Sequence, residues 1–395
     1  MKKIVCFLLI FFIMIPFAAS ATENQPIYPF TYAFEDFWFE EAAVMDTKFP
    51  VRAAVLMEAS TGKILFAQSE DSAFPIASVT KVMSTLLVME AIDEGKIKLD
   101  DLITVGEDAA KMGGSQVYLE VGEKMSVHDM LKALIVASAN DATVAMAEHI
   151  CGSEESFVAL MNQRAAELGM KNTHFANSHG LNEDGHYSSA LDVAIVTREL
   201  LKHELVLNYT TIWMDTIRNG AFGLANTNKL IRFYNGANGM KTGYTDHAKY
   251  CLSATAKRDN VQLIAVVLGA DSSDERFSVT KKLLDFGFAN FSVITPEKKS
   301  IEPVYTNKAE NNYTQLDYTP PSLLIEKGKN NKITEQFILD EDITAPILKD
   351  DVLGEVVYYS GEIIIAKVPI FAAEDNRKIS FRMIFSKIFK NIMGK

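Results

Sequence analysis

The sequence is poor in cysteine and tryptophan, and its histidines are scattered. Cys6 lies in the apolar leader, so only Cys151 and Cys251 remain beyond it, and two cysteines so far apart in sequence form no disulfide framework. The two either pair with each other or are small buried residues, and the second interpretation is favoured. No Cys/His spacing fits zinc, so the sequence predicts no metal site and no cofactor.

The chain also lacks the excess of positive charge that binding to nucleic acid requires. Lysine and arginine number 39 against 51 aspartate and glutamate residues, which gives a formal net charge of −12. A polyanion is not attracted to such a protein by a general electrostatic route. Nucleic acid is therefore excluded as a predicted partner.

A long apolar run occurs only at the start of the chain, from Ile4 to Phe17. Lys2 and Lys3 precede it, and Ala19-Ser-Ala21 follows as a small-residue cleavage site. Residues 1–21 are therefore predicted to be a secretory signal, because the run is too short for a comfortable membrane span. The mature chain is expected to work outside the cytoplasm.

The periodicity of apolar residues divides the remaining chain. Residues 22–45 are acidic and aromatic and are predicted to form an N-terminal arm. Strand patterns at 51–68 and 230–270 enclose a helical middle, which predicts an α+β domain at 46–293.

The last hundred residues have a different composition. Short strand patterns separated by proline and asparagine predict a small β domain at 294–374. Residues 375–395 are predicted to form an amphipathic helix, in which the stretch from Arg377 to Lys395 contains six Lys or Arg and no acid. Such a helix typically binds to an anionic membrane surface, and the alternative is that it packs on its own domain.

Three Ser-x-x-Lys matches occur, and their contexts differ. Ser78-Val-Thr-Lys81 opens a helix that is apolar nearly all round, which predicts a buried helix with a reactive pair at its accessible first turn. The match from Ser60 to Lys63 lies at a predicted hairpin turn. The match from Ser278 to Lys281 is predicted to lie on the solvated face of an amphipathic helix.

Two further motifs could act together with Ser78-Val-Thr-Lys81. Ser138-Ala-Asn140 lies at a predicted break between helices, and Lys241-Thr242-Gly243 lies in a predicted strand. A serine hydroxyl needs a neighbouring base, which Lys81 can supply if burial and the charge of Lys241 lower its pKa. Asn140 could hold Lys81 or the substrate, and Ser138 could relay a proton to a leaving amine. Lys241 and Thr242 would bind an anionic substrate, and Gly243 would allow its close approach.

These motifs resemble the penicillin-binding and serine β-lactamase superfamily, and within it the low-molecular-mass penicillin-binding proteins, including sporulation-associated members. The resemblance implies a β-lactamase-like catalytic domain, with an antiparallel sheet and a helical subdomain, a small β-sandwich-like domain and the terminal helix. It implies a serine D-alanyl-D-alanine carboxypeptidase that acts on peptidoglycan stem peptides through an acyl-enzyme on Ser78, and that β-lactams inhibit by acylation. The expected location is the outer face of the cytoplasmic membrane.

The resemblance also implies roles for groups other than the side chains of the three motifs. The backbone N–H groups of Ser78 and Tyr244 would form the oxyanion hole. Arg276 would bind the terminal carboxylate of the substrate, or is an ordinary arginine at a helix start. His186 is expected to be structural, because Lys81 fills the role of base. Lys249 departs from the pattern, since the family usually has glycine there.

Two alternatives remain open at the level of sequence. One is a serine β-lactamase on the same fold, although its Glu-x-x-x-Asn loop is imperfect here: Glu167 is followed by Lys171, and Asn172 comes one place late. The other is a wall-bound scaffold that retains a relic site.

Overall fold

The computed structural model describes residues 45–329 and 332–393. The predicted signal at 1–21 and nearly all of the predicted arm at 22–45 lie outside the described residues. The architecture mixes an antiparallel sheet with helices, and the α+β prediction is confirmed.

In the first part, strands at both ends enclose a mainly helical middle, as the sequence patterns predict, and two short strand pairs lie within that middle. The strands are β1 (Ala53–Glu58), β2 (Ile64–Gln68), β3 (Leu102–Thr104), β4 (Lys124–Ser126), β5 (Met214–Ile217), β6 (Phe222–Ala225), β7 (Ala237–Thr245), β8 (Lys249–Arg258) and β9 (Val261–Ala270). The helices are α1 (Lys81–Asp93), α2 (Glu107–Ala110), α3 (Val127–Ile135), α4 (Asn140–Cys151), α5 (Glu154–Glu167), α6 (Ala190–Leu200), α7 (Leu207–Thr210), α8 (Leu230–Phe233) and α9 (Ser273–Asn290). Short 3-10 helices lie at Ala77–Thr80 and Glu204–Val206.

The central sheet has the strand order β2-β1-β9-β8-β7, and its neighbouring strands are antiparallel. Side chains of a strand point alternately to its two faces, and both faces of this sheet are buried. Val55 and Val266 belong to the core shared with the helical middle, whereas Leu56 and Val267 belong to the core under α9. Burial on both faces explains why β1 and β9 are continuous apolar runs.

Helix α1 lies at the centre of the helical part. Val82, Leu86 and Val88 are fully or almost fully buried, as the apolar sequence of this helix predicts. Ser126 caps the start of α3, because its side chain accepts a hydrogen bond from the backbone N–H of Asp129 at 3.2 Å. These helices place the Ser78 turn against strand β7 at the edge of the sheet.

The C-terminal part consists of short sheets followed by a helix. Its strands are β10 (Phe291–Ile294), β11 (Val304–Tyr305), β12 (Tyr313–Thr314), β13 (Leu316–Asp317), β14 (Leu323–Glu326), β15 (Ile333–Leu339), β16 (Val352–Ser360) and β17 (Ile363–Ala372). The largest sheet has the order β13-β17-β16-β15 and packs a small core of its own. Its helix is α10 (Phe381–Ile392).

The last helix begins later than the sequence prediction of 375. Asn376 exchanges backbone hydrogen bonds with Ile347, and the N–H of Ile379 donates to the carbonyl of Lys308 at 2.8 Å. Residues 376–379 therefore still pair with the β part, and Ser380 caps the helix. Within the two described ranges, none of the helices combines the length and the hydropathy that a membrane crossing needs.

The two cysteines that follow the leader are free thiols. Cys251 is fully buried in β8, as the favoured interpretation predicts, and Cys151 is half-buried at the end of α4. The alternative of a disulfide between them is wrong.

Candidate active site

The turn before α1 presents a serine beside a buried lysine. Ser78 is half-buried within the 3-10 helix, and Lys81, three residues later, has no exposed surface. The Lys81 Nζ lies 3.2 Å from the Ser78 Oγ. The predicted contact between the two side chains is therefore present.

Two more oxygen atoms surround the Lys81 amine. Its Nζ donates to the Asn140 Oδ1 at 2.6 Å and to the carbonyl oxygen of His179 at 2.7 Å. A neutral amine has two N–H donors and one lone pair, so these acceptors leave the lone pair for the Ser78 hydroxyl. The arrangement suits a lysine that takes a proton from serine.

The electrostatic surroundings favour this neutral amine. Burial lowers the pKa of Lys81 well below its ordinary value, and the charge of Lys241 lowers it further. The carboxylates of Asp141 and Glu154 oppose the shift. Both causes that the sequence prediction named are thus present, with burial the larger.

Asn140 has a fixed orientation at the start of α4. Its Nδ2 donates to the carbonyl of Gly113 at 2.7 Å, which directs Oδ1 toward Lys81. Ser138 is buried at the break between α3 and α4, with a backbone φ of +63°. A non-glycine residue in this left-handed region is uncommon and often marks a functional position.

Strand β7 forms the opposite wall of the site. Lys241 is buried, its Nζ donates to the Thr242 carbonyl at 3.0 Å, and the Thr242 Oγ1 donates to the Thr227 hydroxyl at 2.7 Å. Burial, together with the charge of Arg276, lowers the pKa of Lys241 to about 7. An amine and a hydroxyl are both groups that can bind a carboxylate.

Two glycines allow the backbone around Ser78 to be enclosed on both sides. A Cβ on Gly243 would lie 2.7 Å from the carbonyl oxygen of Ile76 and 3.0 Å from the backbone nitrogen of Ser78. A Cβ on Gly180, whose φ is +89°, would lie 2.0 Å from the carbonyl oxygen of Ala77. Only glycine permits this approach at either position.

Arg276 contacts the edge strand β7 and its neighbour β8. Its Nη1 donates to the carbonyls of Gly243 at 3.2 Å and Cys251 at 3.1 Å, and burial lowers its pKa to about 10. Within the described part of the chain, its Nε is a buried polar atom without a hydrogen-bond partner. Tyr244 is half exposed and packs against Tyr250 with the two rings tilted by 36° and their centroids 4.4 Å apart.

The unusual Lys249 does not disturb the hairpin. It begins β8 and pairs with Thr245, but its φ is +59°. This left-handed conformation is easiest for glycine, which explains why a lysine is an unexpected residue at this position. Strand β7 keeps its regular pairing with β8 from Met240 to Thr245.

Sequence reasoning missed the part of the site that backbone atoms supply. The carbonyl of His179 binds Lys81, and the carbonyl of Gly113 orients Asn140. A carbonyl has no side-chain signature, so only the cluster of glycine, asparagine and histidine at 169–190 could have indicated the contribution of His179. His186 hydrogen-bonds Thr80 at 2.7 Å through its Nε2.

The glutamate of the β-lactamase alternative and the serine of the Ser60 to Lys63 match make contacts outside the site. Glu167 ends α5 and contacts Arg164 at 3.2 Å and Gln163 at 2.9 Å. Ser60 donates to the carboxylate of Glu58, as expected of a turn. Among the residues that the structure describes, no three His, Cys, Asp or Glu side chains are grouped to hold a metal.

A serine in contact with a buried lysine, facing a second buried lysine on an edge strand, defines a class of protein. Such a site can form an acyl-enzyme and can bind an anionic acyl donor, so the class is that of the serine acyl-transfer enzymes with a lysine base.

Comparisons with known proteins narrow this class of enzymes to a family. A family model described as D-alanyl-D-alanine carboxypeptidase matches residues 40–272, and one described as Penicillin-binding protein 5, C-terminal domain, matches residues 294–378. The D-alanyl-D-alanine carboxypeptidase DacF of Bacillus subtilis is 42% identical over 96% of each chain. DacC of Escherichia coli, also a D-alanyl-D-alanine carboxypeptidase, is 34% identical over 87% of this chain and 88% of its own.

A solved structure has the same fold. Penicillin binding protein 5 from Haemophilus influenzae is 33% identical, with a TM-score of 0.77 over 85% of this chain and all of that chain. Penicillin-Binding Protein D2 from Listeria monocytogenes, solved in an ampicillin-bound form, is 32% identical, with a TM-score of 0.57 over 62% of this chain and 99% of that chain. The chain belongs to the D-alanyl-D-alanine carboxypeptidase family and is a low-molecular-mass penicillin-binding protein.

Proposed function

We propose that this D-alanyl-D-alanine carboxypeptidase uses Ser78 as its nucleophile and Lys81 as its general base. The observation that supports this is the buried Lys81 amine, whose nitrogen lies 3.2 Å from the Ser78 Oγ. Its lowered pKa makes the neutral form available to take a proton.

In the first half-reaction the Ser78 Oγ attacks the carbonyl carbon before the terminal D-alanine of a stem peptide, and Lys81 takes the hydroxyl proton. The backbone N–H groups of Ser78 and Tyr244 stabilise the oxyanion. The C–N bond then breaks, and the proton passes from Lys81, with Ser138 as relay, to the leaving nitrogen. Asn140 holds Lys81 in place for both transfers.

Binding depends on the carboxylate of the terminal D-alanine. Lys241 and Thr242 bind it, and the nearby Arg276 adds positive charge. Gly243 leaves room for the peptide beside β7. In the second half-reaction, water attacks the ester carbonyl and releases the shortened peptide and Ser78.

A β-lactam carries a carboxylate and a reactive amide, so it acylates the same serine as a substrate analogue. The ampicillin-bound Listeria relative supports this. Glu167, the glutamate of the imperfect Glu-x-x-x-Asn match, contacts Arg164 rather than the site.

The decisive experiment locates the acylated residue. The protein is incubated with benzylpenicillin, digested and analysed by peptide mass spectrometry, and release of D-alanine is measured on a peptide that ends in D-Ala-D-Ala. We expect the adduct on Ser78, no D-alanine release by Ser78→Ala, and normal release by the matched control Ser278→Ala. An adduct on another residue, or full activity of Ser78→Ala, would refute the assignment. Fast hydrolysis of the adduct would identify a β-lactamase, and no labelling would identify a relic site.

We also propose that the chain is exported and attached to the outer face of the cytoplasmic membrane by α10. Activity on peptidoglycan requires export, and residues 1–21 have the pattern of a signal. Large apolar side chains are exposed on α10, among them Phe381 at 82% and Ile392 at 77%. Basic residues of 377–395 would add attraction to anionic lipid.

Vesicle flotation tests this attachment. Protein that begins at Thr22, directly after the predicted signal, should float with vesicles containing phosphatidylglycerol, and high salt should weaken the binding. The double variant Phe385→Asp/Phe389→Asp should reduce the bound fraction about tenfold, because both rings are exposed on α10. Phe233→Asp, which changes an equally exposed ring elsewhere, is the control. Equal flotation of all three proteins would refute the attachment by α10.

A further inference from the structure

The carbonyl group of Ala77, immediately before Ser78, is held by a side chain. Ala77 has a φ of +47°, a left-handed conformation that an alanine rarely adopts. The Thr80 hydroxyl donates to the Ala77 carbonyl oxygen at 2.8 Å. On its other side this oxygen faces the backbone of Gly180, where a Cβ would come within 2.0 Å. The direction of the carbonyl is therefore fixed by its surroundings.

The Thr80 hydroxyl is in turn fixed by His186. The His186 Nε2 lies 2.7 Å from the Thr80 Oγ1, and the backbone N–H of Ala176 donates to the His186 Nδ1 at 3.1 Å. Because Nδ1 accepts, the proton of the neutral ring is on Nε2, which donates to Thr80. Both side chains are buried, and burial lowers the pKa of His186 to about 4, so that the ring is neutral at neutral pH.

The result is a directed chain of hydrogen bonds, from Ala176 to His186, to Thr80 and finally to the Ala77 carbonyl. The peptide bond between Ala77 and Ser78 is trans. In a trans peptide the N–H of one residue points opposite to the carbonyl of the residue before it. Fixing the Ala77 carbonyl therefore fixes the direction of the Ser78 N–H.

We propose that Thr80 and His186 are positioning residues, which aim the Ser78 N–H at the oxyanion that forms during acylation. The proposal rests on the proposed function, in which this N–H is one of two oxyanion donors. Oxyanion-hole donors act through their orientation toward the charge that develops in the transition state. A residue that sets this orientation should influence the acylation step more than the binding of substrate.

Matched pairs of variants test this chain of hydrogen bonds. Thr80→Val removes the hydroxyl at nearly constant shape, whereas Thr80→Ser keeps it. His186→Asn removes the donor at the Nε2 position, whereas His186→Gln supplies an amide N–H near that position. Acylation by benzylpenicillin is followed in stopped flow, which separates the dissociation constant of the first complex from the acylation rate constant.

We expect Thr80→Val and His186→Asn to lower the acylation rate constant by roughly 10- to 100-fold, less than the loss of an entire oxyanion donor. The dissociation constant should change less than about threefold, since the interaction strengthens in the transition state. Thr80→Ser and His186→Gln should recover most of the rate. The double variant Thr80→Val/His186→Asn should be no slower than Thr80→Val alone, because the two residues act in series.

A control separates positioning from folding. Thr197→Val removes another buried helical hydroxyl, which donates to the carbonyl of Val193 at 2.7 Å in α6. It should lower the melting temperature in the same way as Thr80→Val and leave acylation unchanged. Wild-type acylation by Thr80→Val, or a loss that Thr80→Ser does not recover, would overturn the proposal. If Ser78 is still the acylated residue in those variants, the proposed function stands, and if another residue carries the adduct, the proposed function fails with it.

Discussion

The chain contains the tetrapeptide Ser-Val-Thr-Lys twice, and the two copies lie in different surroundings. The copy from Ser78 to Lys81 runs from a 3-10 helix into the first residue of α1, and its lysine is completely buried among oxygen atoms of Asn140 and His179. The copy from Ser278 to Lys281 lies on α9, where the serine is exposed and the lysine is half-exposed. Both pairs have the same spacing on one helical face, so spacing does not distinguish them.

The difference shows that partners from distant elements create the environment of Lys81. Burial and the charge of Lys241 lower the pKa of Lys81, and Asn140 and His179 orient its amine. Lys281 is half-exposed, and helix α9 instead contributes Arg276 to the site. The same four residues thus form a contact between a serine and a buried lysine in one place and part of an exposed helix surface in the other.

The largest expected effect on acylation comes from replacing the lysine of the first copy, with the lysine of the second copy as its control. Lys81→Met removes the base, and acylation by benzylpenicillin should fall by at least roughly 10⁴-fold, as when an activated serine loses its base. Lys281→Met should acylate at the wild-type rate, because its side chain lies on a solvated face. Stopped-flow rate constants check both. Similar losses in the two variants would remove the distinction between the copies.

Lys241, whose charge lowers the pKa of Lys81 in the first copy, should make the stability of the protein depend on pH. The pKa of Lys241 is about 7 in the folded chain against an ordinary 10.5, so the unfolded chain binds more protons between these pH values. Stability contributed by the neutral amine is therefore absent below about pH 7 and increases up to about pH 10.5. At about 1.4 kcal/mol per pKa unit, the increase amounts to roughly 5 kcal/mol.

Urea unfolding at several pH values measures this increase. Lys241→Met should remove the contribution of Lys241 to the slope of unfolding free energy against pH, and the smaller remaining slope would include Lys81, whose pKa is lowered in the same direction. Lys281→Met is the control and should keep the full slope. An unchanged slope in Lys241→Met would contradict the lowered pKa.

The third prediction tests how closely β7 approaches the first copy. In Gly243→Ala the new methyl group would meet the Ile76 carbonyl at 2.7 Å, so strand and turn must separate. Acylation should fall by roughly 100-fold, the effect of a misplacement of about 1 Å in a catalytic site. Gly223→Ala adds a methyl group to β6, where nothing lies within 4 Å, and should be neutral. Wild-type kinetics in Gly243→Ala would show that the close approach is unimportant.

Local patterns predicted most of the fold. The hairpin at 51–68, the capped start of α3 at Ser126 and the inner face of α9 follow from periodicity and turn residues, and the structure contains them. Helix α4 begins at Asn140, inside the motif at which the sequence predicts a break between helices. Helix boundaries depend on capping and on tertiary contacts, which periodicity does not contain.

The side chains of the site were also predictable, because their chemistry limits the residue types. Ser78, Lys81, Asn140 and Lys241 converge as the three motifs indicate. The carbonyl of His179 was not predictable, since any residue type could supply it. Nor was the late start of α10, which depends on backbone pairing of 376–379 with distant strands.

The smallest effect is expected at Arg276, the residue through which α9 reaches the site. Its guanidinium holds the carbonyls of Gly243 and Cys251, and its charge lies close enough to lower the pKa of Lys241. Arg276→Gln should lower kcat/KM about tenfold, or about 1.4 kcal/mol, for a peptide with a free terminal carboxylate. For the same peptide with an amidated terminus the loss should be smaller, because only the carboxylate interacts with the missing charge. Lys281→Gln, on the same helix, should change neither value. Equal losses on the two peptides would show that Arg276 only supports the strands, and the contribution of α9 to the site would then be packing alone.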